Sequence, residues 1–459
     1  MGGAEPPQEK PVAETFDLVF KGGTVVNHAG AGIADIGVKD GRIAEIGDIG
    51  EGTAGETIDA TGLHILPGVI DSQVHFREPG LEHKEDLASG SRSAVLGGVT
   101  AVFEMPNTKP ATTSAEALAA KVKAAAGRMH CDFAFFVGAT RENVGDLAEL
   151  ERLPGAAGVK AFLGSSTGDL LVDDEETLAR ILATIRRRAA FHSEDEARLR
   201  ERIRLQREGD PSSHSEWRDP EAALAATERL LRLATGAGKR VHVLHVSTAE
   251  EMALLALYKY VATVEVTPQH LTLAAPEAYE QLGTKAQMNP PLRDRYHQTR
   301  LWWGIERGVV DVLGSDHAPH TLAEKAKSYP ATPSGMPGVQ TLVPVMLDHV
   351  NAGRLSLARF VDLTSAGPQR VFGIAGKGRI AVGYDADLTI VDLKAEHRIE
   401  DAWIGSKCGW TPFAGRRVQG WPKGTLVRGR LAMWEGELGE ARGESVRFAE
   451  VLPQTSTGY

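Results

Sequence analysis

The sequence has few cysteines and no long apolar stretch, and both deficits restrict the kind of protein it encodes. Its two cysteines, Cys131 and Cys408, exclude a disulfide framework and favour a reducing, cytoplasmic setting, where we expect both to be structural. An uninterrupted apolar run of about 18 residues, the minimum for a transmembrane helix, does not occur. Because the first ten residues lack an apolar core, we also expect no signal peptide.

Positive charge is also in short supply. The 459 residues contain 51 lysines and arginines against 61 aspartates and glutamates, which gives a formal net charge of −10. An acidic chain without a basic block is a poor candidate for binding nucleic acid or an anionic membrane surface. These deficits together predict a soluble cytoplasmic protein.

Both ends of the sequence have the texture of a small β domain. Residues 1–15 are polar and proline-rich, which predicts a disordered tail. Short strands with glycine and aspartate at the breaks follow in residues 16–63, and similar strands return in residues 371–459. The simplest arrangement is one β-sandwich domain formed from both chain ends, with antiparallel strands.

Residues 64–370 show a different rhythm, in which short apolar runs alternate with helical segments such as Ala115–Ala126, Glu175–Arg188 and Pro220–Ala234. This alternation is typical of a parallel sheet built from βα units, and eight units close naturally into a (β/α)8 TIM-like barrel. The open alternative is a doubly wound sheet. The eight runs are His64–Phe76, Val99–Met105, Asp132–Thr140, Gly158–Leu163, Ala189–His192, Arg240–Val246, Thr263–Thr267 and Val309–Gly314.

Residues that can bind a metal or transfer a proton stand at the ends of five of these runs, where the active site of such a barrel lies. They are His75, Lys160, His192, His245 and Asp316. A single histidine at a strand end is usually a packing residue, whereas this combination on five strands predicts a site. Imidazole and carboxylate ligands without thiolate favour zinc or a similar divalent metal.

Lys160 is informative because an ammonium group would be repelled by metal cations. It fits a metal site if its amine has reacted with CO2 to form a carbamate, an anion whose two oxygens can bridge two metals. The alternative is a buried lysine paired with a nearby acid.

Four short motifs carry a resemblance to a known family. They are His75-Phe-Arg-Glu-Pro-Gly, Met105-Pro-Asn-Thr, Asn289-Pro-Pro-Leu-Arg and Asp316-His-Ala-Pro-His. With these motifs the chain resembles the amidohydrolase superfamily and, within it, the dihydroorotase family. The segment Gly378–Leu388 is typical of the superfamily's return to its β domain, and the resemblance covers nearly the whole chain, from Phe16 to Arg430.

The resemblance implies an activity and a role for each motif residue. The activity is the zinc-dependent, reversible hydrolysis of dihydroorotate to N-carbamoyl-L-aspartate, a step of pyrimidine biosynthesis. One or two zinc ions would be held by His75, carboxylated Lys160, His192, His245 and Asp316, and Asp316 would also be the general base. The substrate would be bound by Arg77, Asn107, Asn289 and His320. The resemblance further implies a homodimer or homotetramer, and an association with aspartate transcarbamoylase is open.

The metal motif departs from the family pattern at one position. The family has H-x-H, whereas this chain has Gln73-Val-His75, and an amide oxygen is a weaker ligand than imidazole. We therefore expect a weakened first metal site in which Gln73 is optional. The same break leaves open a non-catalytic partner role, although Lys160, His192, His245, Asp316, Arg77 and Asn107 are all retained.

The guanidinium of Arg77 favours dihydroorotate among related cyclic amides. Its planar fork suits a carboxylate, which dihydroorotate has and the substrates of hydantoinases and dihydropyrimidinases lack. The alternatives are an allantoinase-like or hydantoinase-like enzyme, or an Arg77 that forms a salt bridge with Glu78 or Glu82.

Other histidines and one loop receive weaker interpretations. We assign no role to His270, and we expect His242 and His317 to be structural or to support neighbouring ligands. The segment Lys325–Met336, rich in proline, serine and glycine, is expected to form a loop near the site.

Overall fold

A computed structural model describes residues 16–50, 54–165 and 170–449. The predicted tail, residues 1–15, lies outside the described residues. No helix in the described part of the chain is long and apolar enough to span a membrane. Cys131 and Cys408 are both buried and free.

The first strands of the chain form one half of a β sheet, with β1 at its centre. These strands are β1 Phe16–Asn27, β2 Gly30–Lys39, β3 Arg42–Gly47, β4 Ala54–Asp59 and β5 His64–Pro67. One edge of β1 pairs antiparallel with β2, and the other edge pairs parallel with β4 and then β5. The sheet therefore contains parallel pairs that its sequence pattern did not predict.

The next eight strands of the described chain form the barrel. They are β6 Val69–Val74, β7 Val99–Glu104, β8 Asp132–Gly138, β9 Ala156–Phe162, β10 Ala189–His192, β11 Val241–Val243, β12 Ala262–Val266 and β13 Val312–Leu313. All neighbouring pairs are parallel and follow chain order from β6 to β13. A parallel bridge between Val74 and His317 joins the last segment to the first. This order confirms the predicted barrel and excludes the doubly wound sheet.

The last strands return to the first sheet. They are β14 Leu388–Arg398, β15 Arg417–Val427, β16 Arg430–Trp434 and β17 Glu437–Leu438. β14 pairs with β5, so that both chain ends share one sheet of nine described strands, as predicted. The ring centroids of Phe20 and Trp434 are 6.5 Å apart although β1 and β16 are not neighbours, so the sheet curls over its own core.

Helices cover the outside of the barrel, and several of them begin after a polar side chain that caps the N-terminus. Ser114, Asp174 and Asp219 each accept a hydrogen bond from the backbone N–H three residues later, which begins three helices at their predicted positions. The α-helices of the described residues are α1 Leu87–Leu96, α2 Ala115–Ala125, α3 Leu147–Leu150, α4 Glu175–Thr184, α5 Glu196–Arg202, α6 His214–Trp217, α7 Pro220–Ala237, α8 Ala249–Leu257, α9 Pro268–Thr272, α10 Glu277–Leu282, α11 Arg295–Glu306, α12 Leu322–Lys325, α13 Leu342–Asn351, α14 Leu357–Val361 and α15 Gly367–Phe372.

Most predicted elements differ from the structure by a few residues at their ends, and two of the differences have a clear physical cause. The run His64–Phe76 is two strands, because β5 pairs in the curled sheet and β6 in the barrel, with Gly68 between them. Helix α4 ends at Thr184 rather than at residue 188, because the Glu151 carboxylate accepts the backbone N–H groups of Arg186 and Arg187.

Aromatic side chains plug one end of the barrel interior. Phe103 of β7 meets Phe372 and Phe448, with ring centroids 5.4 and 5.6 Å apart, and small residues such as Ala134 and Ala190 complete this core. This core fills the inside of the barrel, and the carboxyl ends of β6 to β13 are left to form a site.

Candidate active site

One cavity at the carboxyl ends of the barrel strands brings together most of the predicted site residues. Its lining consists of Gln73, His75, Lys160, Phe162, His192, His245, Asn289, Asp316, Ala318, Ser334 and Gly335. Every predicted metal ligand is in this set. The remaining predicted residues, Arg77, Asn107 and His320, lie next to it and contact either its lining or each other.

The backbone turns sharply at three of these residues. Arg77, His245 and Asp316 have positive φ angles of 66°, 37° and 45°, a region that non-glycine residues seldom occupy. Such conformations persist where the surrounding structure enforces them, and they concentrate at functional sites. Here they turn the side chains that follow β6, β11 and β13 toward the common cavity.

His192 and His245 form a close pair on adjacent strands. His192 Nδ1 lies 3.1 Å from His245 Nε2, and both rings are buried. On its other side, His192 Nε2 donates to Glu194 Oε2 at 2.9 Å, which leaves the lone pair of Nδ1 facing His245. Burial lowers the pKa of both histidines, so both rings are neutral and able to act as ligands near neutral pH.

A buried carboxylate and guanidinium hold His192 from behind. Glu194 forms an ion pair with Arg218, and both side chains are almost completely buried. Although burial raises the pKa of Glu194, Arg218 and His192 outweigh it and hold that pKa well below its usual range. A ligating histidine whose second nitrogen is bound to a carboxylate is typical of metal sites.

A second group of donors lies around Asp316. His75 Nε2 and Gln73 Nε2 lie 3.1 and 3.0 Å from Asp316 Oδ1, and His75 Nδ1 donates to Asn107 Oδ1 at 2.8 Å. Burial lowers the pKa of His75, although Asp316 opposes this. The neutral ring therefore directs its Nε2 lone pair at a carboxylate oxygen, an arrangement that a cation between them would relieve.

Lys160 is buried among these groups without a hydrogen-bond partner. Its Nζ has no acceptor in the described structure and lies 4.4 Å from the centre of the Phe162 ring. Burial lowers the pKa of Lys160 to about 7, with partial opposition from Asp316 and Glu265. Among the described residues Lys160 has no ion pair, so the alternative of a lysine paired with an acid is wrong, and burial favours its neutral amine.

The donor set fits a divalent metal if Lys160 supplies a further ligand. In the described residues, no group of three or more His, Cys, Asp or Glu side chains is placed to hold a metal ion by itself. Each donor pair spans 3.1 Å, close to the separation of about 3.4 Å between two ligands of a tetrahedral zinc ion. Each pair lacks a further ligand, which a carbamate on Lys160 could supply. Gln73 Oε1 is also buried without a partner.

Arg77 is a buried cation beside the cavity, and among the described residues carboxylates such as Asp316 and Glu104 favour its charge only from beyond ion-pair distance. Its Nε donates to the carbonyl oxygen of Pro319 at 3.2 Å, and in the described structure no carboxylate oxygen lies within ion-pair distance. Its Nη2 lies 3.4 Å from His320 Nε2, but that nitrogen already donates to Ser334 O at 2.9 Å and cannot accept. Burial lowers the pKa of Arg77 to about 10, which leaves it protonated at neutral pH.

The alternative partners of Arg77 are engaged elsewhere. Glu78 binds Arg128, with the closest oxygen and nitrogen 2.7 Å apart, and Glu82 accepts from the backbone of Gly80. The predicted alternative of an Arg77 salt bridge to Glu78 or Glu82 is therefore wrong.

The segment Lys325–Met336 lies at the site, as expected. Ser334 and Gly335 line the cavity, and Tyr329 and Met336 are buried. Gly335 has a φ of 133°, and a Cβ there would lie 2.5 Å from the carbonyl oxygen of Ala318. Only glycine allows this close approach of the loop to the last strand end.

The weaker histidine interpretations can be compared with their contacts. His270 donates to the carbonyl oxygen of Pro290 and bonds the Thr267 hydroxyl, and it does not line the cavity. His317 Nδ1 accepts from the backbone of Gly338, and His242 bonds the Thr263 hydroxyl. All three have structural partners.

Sequence reasoning missed the residues that support the ligands. Glu194 and Arg218 orient His192, and His214 bonds Asn289 through its Nε2 at 2.9 Å. Glu194 follows His192 by two residues and could have been suspected. Arg218 and His214 lie in the connection between β10 and α7, where no sequence pattern marked them.

Residues 64–432 match the Amidohydrolase family. A dihydroorotase of Halobacterium salinarum is 41% identical over 433 residues, which cover 90% of this chain and 99% of that protein. An allantoinase of Rubrobacter xylanophilus is 37% identical over 456 residues, covering 96% and 99%. The solved structure of the L-hydantoinase (dihydropyrimidinase) from Arthrobacter aurescens has a TM-score of 0.89 at 31% identity, covering 94% of this chain and 100% of that one. These likenesses confirm the resemblance inferred from the motifs.

Proposed function

We propose that this chain, which belongs to the amidohydrolase family, is a zinc-dependent dihydroorotase that catalyses the reversible hydrolysis of (S)-dihydroorotate to N-carbamoyl-L-aspartate. That reaction is a step of pyrimidine biosynthesis. The family and the relatives support hydrolysis of a cyclic amide, and the choice of dihydroorotate depends on the site.

The single observation that carries this choice is the unpaired guanidinium of Arg77. It is buried, it is protonated at neutral pH, and among the described residues its assigned acceptor is the Pro319 carbonyl oxygen. A buried charge without a counter-ion is costly unless a ligand supplies the opposite charge. Dihydroorotate carries a carboxylate on the ring whose amide bond is cleaved, and a guanidinium binds a carboxylate through two parallel hydrogen bonds.

The residues around Asp316 are suited to hold the metal and to move one proton. His192, His245, His75, Asp316 and a carboxylated Lys160 would be the ligands, and a bound zinc ion would lower the pKa of water and polarise the amide carbonyl. Asp316 would accept the proton that water loses as its oxygen attacks the ring carbonyl carbon. The same carboxyl group would then deliver that proton to the ring nitrogen as the C–N bond breaks.

Carboxylation of Lys160 fits its environment. A neutral amine adds to CO2 to give a carbamate and release one proton, and the lowered pKa of Lys160 makes that neutral form available. The Nζ has no competing hydrogen bond in the described structure. The carbamate would provide the oxygen ligands that the two histidine-containing pairs lack.

An allantoinase or hydantoinase is the second candidate, and the comparisons give it a specific basis. A relative named allantoinase is 37% identical over 96% of this chain, and a solved L-hydantoinase has the same fold. The non-catalytic role has less support, because a decayed site would not keep all the proposed ligands in one cavity.

The direct test is hydrolysis of dihydroorotate, allantoin and hydantoin by the purified protein and by an Asp316→Asn variant. We expect turnover of dihydroorotate with the largest kcat/KM, and loss of that turnover in the variant, because asparagine cannot accept the proton. Asp348→Asn is a matched control, since Asp348 pairs with Arg416 on the protein surface. Preferred turnover of an uncharged substrate, or an active Asp316→Asn variant, would contradict the proposal.

A further inference from the structure

Three aromatic side chains form a buried group behind one wall of the active-site cavity. Trp217 ends α6, His214 begins it, and Tyr329 comes from the loop Lys325–Met336. Their exposed fractions are 8%, 2% and 1%. The ring of His214 packs edge-on against both Trp217 and Tyr329, with centroids 5.7 and 5.9 Å apart. These contacts fix the plane of the imidazole.

The proton of His214 is located by a backbone group. Its Nε2 lies 3.0 Å from the carbonyl oxygen of Met288, which can only accept a hydrogen bond. Nε2 therefore carries a proton. The same nitrogen lies 2.9 Å from the side-chain amide of Asn289, so the atom that faces it must be the oxygen Oδ1. This assignment does not depend on distinguishing the oxygen and nitrogen of the amide.

The contacts on the other side of the His214 ring also indicate a proton on Nε2 and a lone pair on Nδ1. Trp217 Nε1 can only donate, and it donates to the Tyr329 hydroxyl oxygen at 2.7 Å. The hydroxyl proton is then free to point at His214 Nδ1, which lies 3.5 Å away and bears the lone pair. Donors and acceptors thus run in one direction, from Trp217 through Tyr329 and His214 to Asn289.

This order of hydrogen bonds determines which end of the Asn289 amide faces the cavity. Asn289 lines the cavity, and its Oδ1 is turned toward His214, so its Nδ2 amino group is the part available to a ligand. Among the described residues, Nδ2 has no assigned hydrogen-bond acceptor. We propose that His214 is a positioning residue that holds the Asn289 amide in one orientation, so that Nδ2 donates to a carbonyl oxygen of the bound cyclic amide. This inference rests on the proposed function for the nature of the ligand.

The charge state of His214 supports a fixed orientation. Burial, followed by the nearby Arg218 cation, lowers the pKa of His214 to about 3, and the bonds to Asn289 and Met288 oppose this only in part. The ring therefore remains neutral, with its proton on Nε2, across the working pH range. The contacts of His214 with Asn289 and Met288 do not involve a proposed metal ligand.

Nuclear magnetic resonance of the whole protein labelled with ¹⁵N-histidine tests the tautomer without any substrate. The His214 signals can be identified as those missing from a His214→Phe variant. We expect a protonated Nε2 and an unprotonated Nδ1 that do not change between pH 5 and pH 8. A proton on Nδ1, or titration within that range, would overturn the inference.

Steady-state kinetics tests the effect on the ligand. In His214→Phe the Asn289 amide can rotate, so we expect KM for dihydroorotate to rise by about tenfold, the equivalent of one hydrogen bond, while kcat changes less than threefold. His214→Gln, whose amide N–H can replace Nε2–H, is expected to recover part of that loss. An unchanged KM, or an equal fall in kcat, would overturn the positioning role.

His349→Phe is the matched control. His349 is another buried neutral histidine with an edge-on aromatic contact, to Trp302, and a hydroxyl partner, Thr272, but it lies in α13 outside the cavity. We expect the His349→Phe variant to have the same KM for dihydroorotate as the wild type. The two proposals fail differently: a wild type that hydrolyses none of the cyclic amides contradicts the proposed function, whereas the tautomer is measured independently of turnover.

Discussion

The ion pair between Glu194 and Arg218 allows a quantitative test of how the site is built. Glu194→Gln removes the negative charge with little change in shape, and it leaves a guanidinium that is only 3% exposed without its carboxylate. Breaking one partner of a buried pair costs about 3–5 kcal/mol. Arg218 retains a bond to the carbonyl oxygen of Ser165 at 2.8 Å, so we expect a loss of about 3 kcal/mol in the free energy of unfolding.

The loss is measured by urea unfolding of the metal-free protein, so that stability is separated from metal binding. Glu216→Gln is the control, because Glu216 forms an ion pair with Arg207 in which both side chains are about half exposed. Such a surface pair contributes little to stability, because solvent screens it. The double variant Glu194→Gln with Arg218→Met is expected to recover stability relative to Glu194→Gln, because it no longer buries an unpaired charge.

The pH dependence of the same variant has a definite sign. The pKa of Glu194 is depressed in the folded protein, so its ionised form stabilises the fold above the ordinary value of 4.5, and this stabilisation is lost as the pH falls. The difference between wild type and variant should therefore shrink below about pH 4.5. A loss under about 1 kcal/mol at pH 7, or no recovery in the double variant, would refute this reasoning.

Three further predictions concern the ligands and the substrate. Arg77→Ala is expected to raise KM for dihydroorotate by about ten- to a hundredfold and to change KM for hydantoin little, because only dihydroorotate has a carboxylate. Equal changes in KM for the two substrates would show that Arg77 does not bind the carboxylate. Lys160 is expected to give a carbamate signal in ¹³C spectra after incubation with ¹³C-bicarbonate at pH 8, and Lys160→Ala to give none; a signal that survives the substitution would come from another group. Gln73→His is expected to raise the zinc content per chain measured by elemental analysis, since imidazole is the stronger ligand; unchanged content would show that Gln73 does not limit metal binding.

The sequence predicted the barrel well because its strands are buried on both faces and stand out as continuous apolar runs. It failed at the run His64–Phe76, since two consecutive strands that belong to different sheets look like one apolar stretch. The parallel pairs of β1 were also missed, because alternation of side chains says little about the direction of the neighbouring strand.

The site was predictable as far as it depends on strand ends. His192 ends a barrel strand and Lys160 lies two residues before the end of another. His75, His245 and Asp316 follow the ends of three more strands, and the closed barrel brings all five residues to one cavity. The supporting residues were not predictable in the same way. Arg218 and His214 come from an irregular connection, and only the folded geometry shows that Arg218 pairs with Glu194 and that His214 bonds Asn289.

The most direct test of the central claim is the hydrolysis of dihydroorotate by the protein as purified, after removal of metal by a chelator, and after return of zinc. A metal-dependent dihydroorotase would hydrolyse dihydroorotate as purified, lose that activity with the metal, and regain it with zinc. Equal activity before and after complete metal removal, or no hydrolysis of dihydroorotate in any of the three states, would contradict the account.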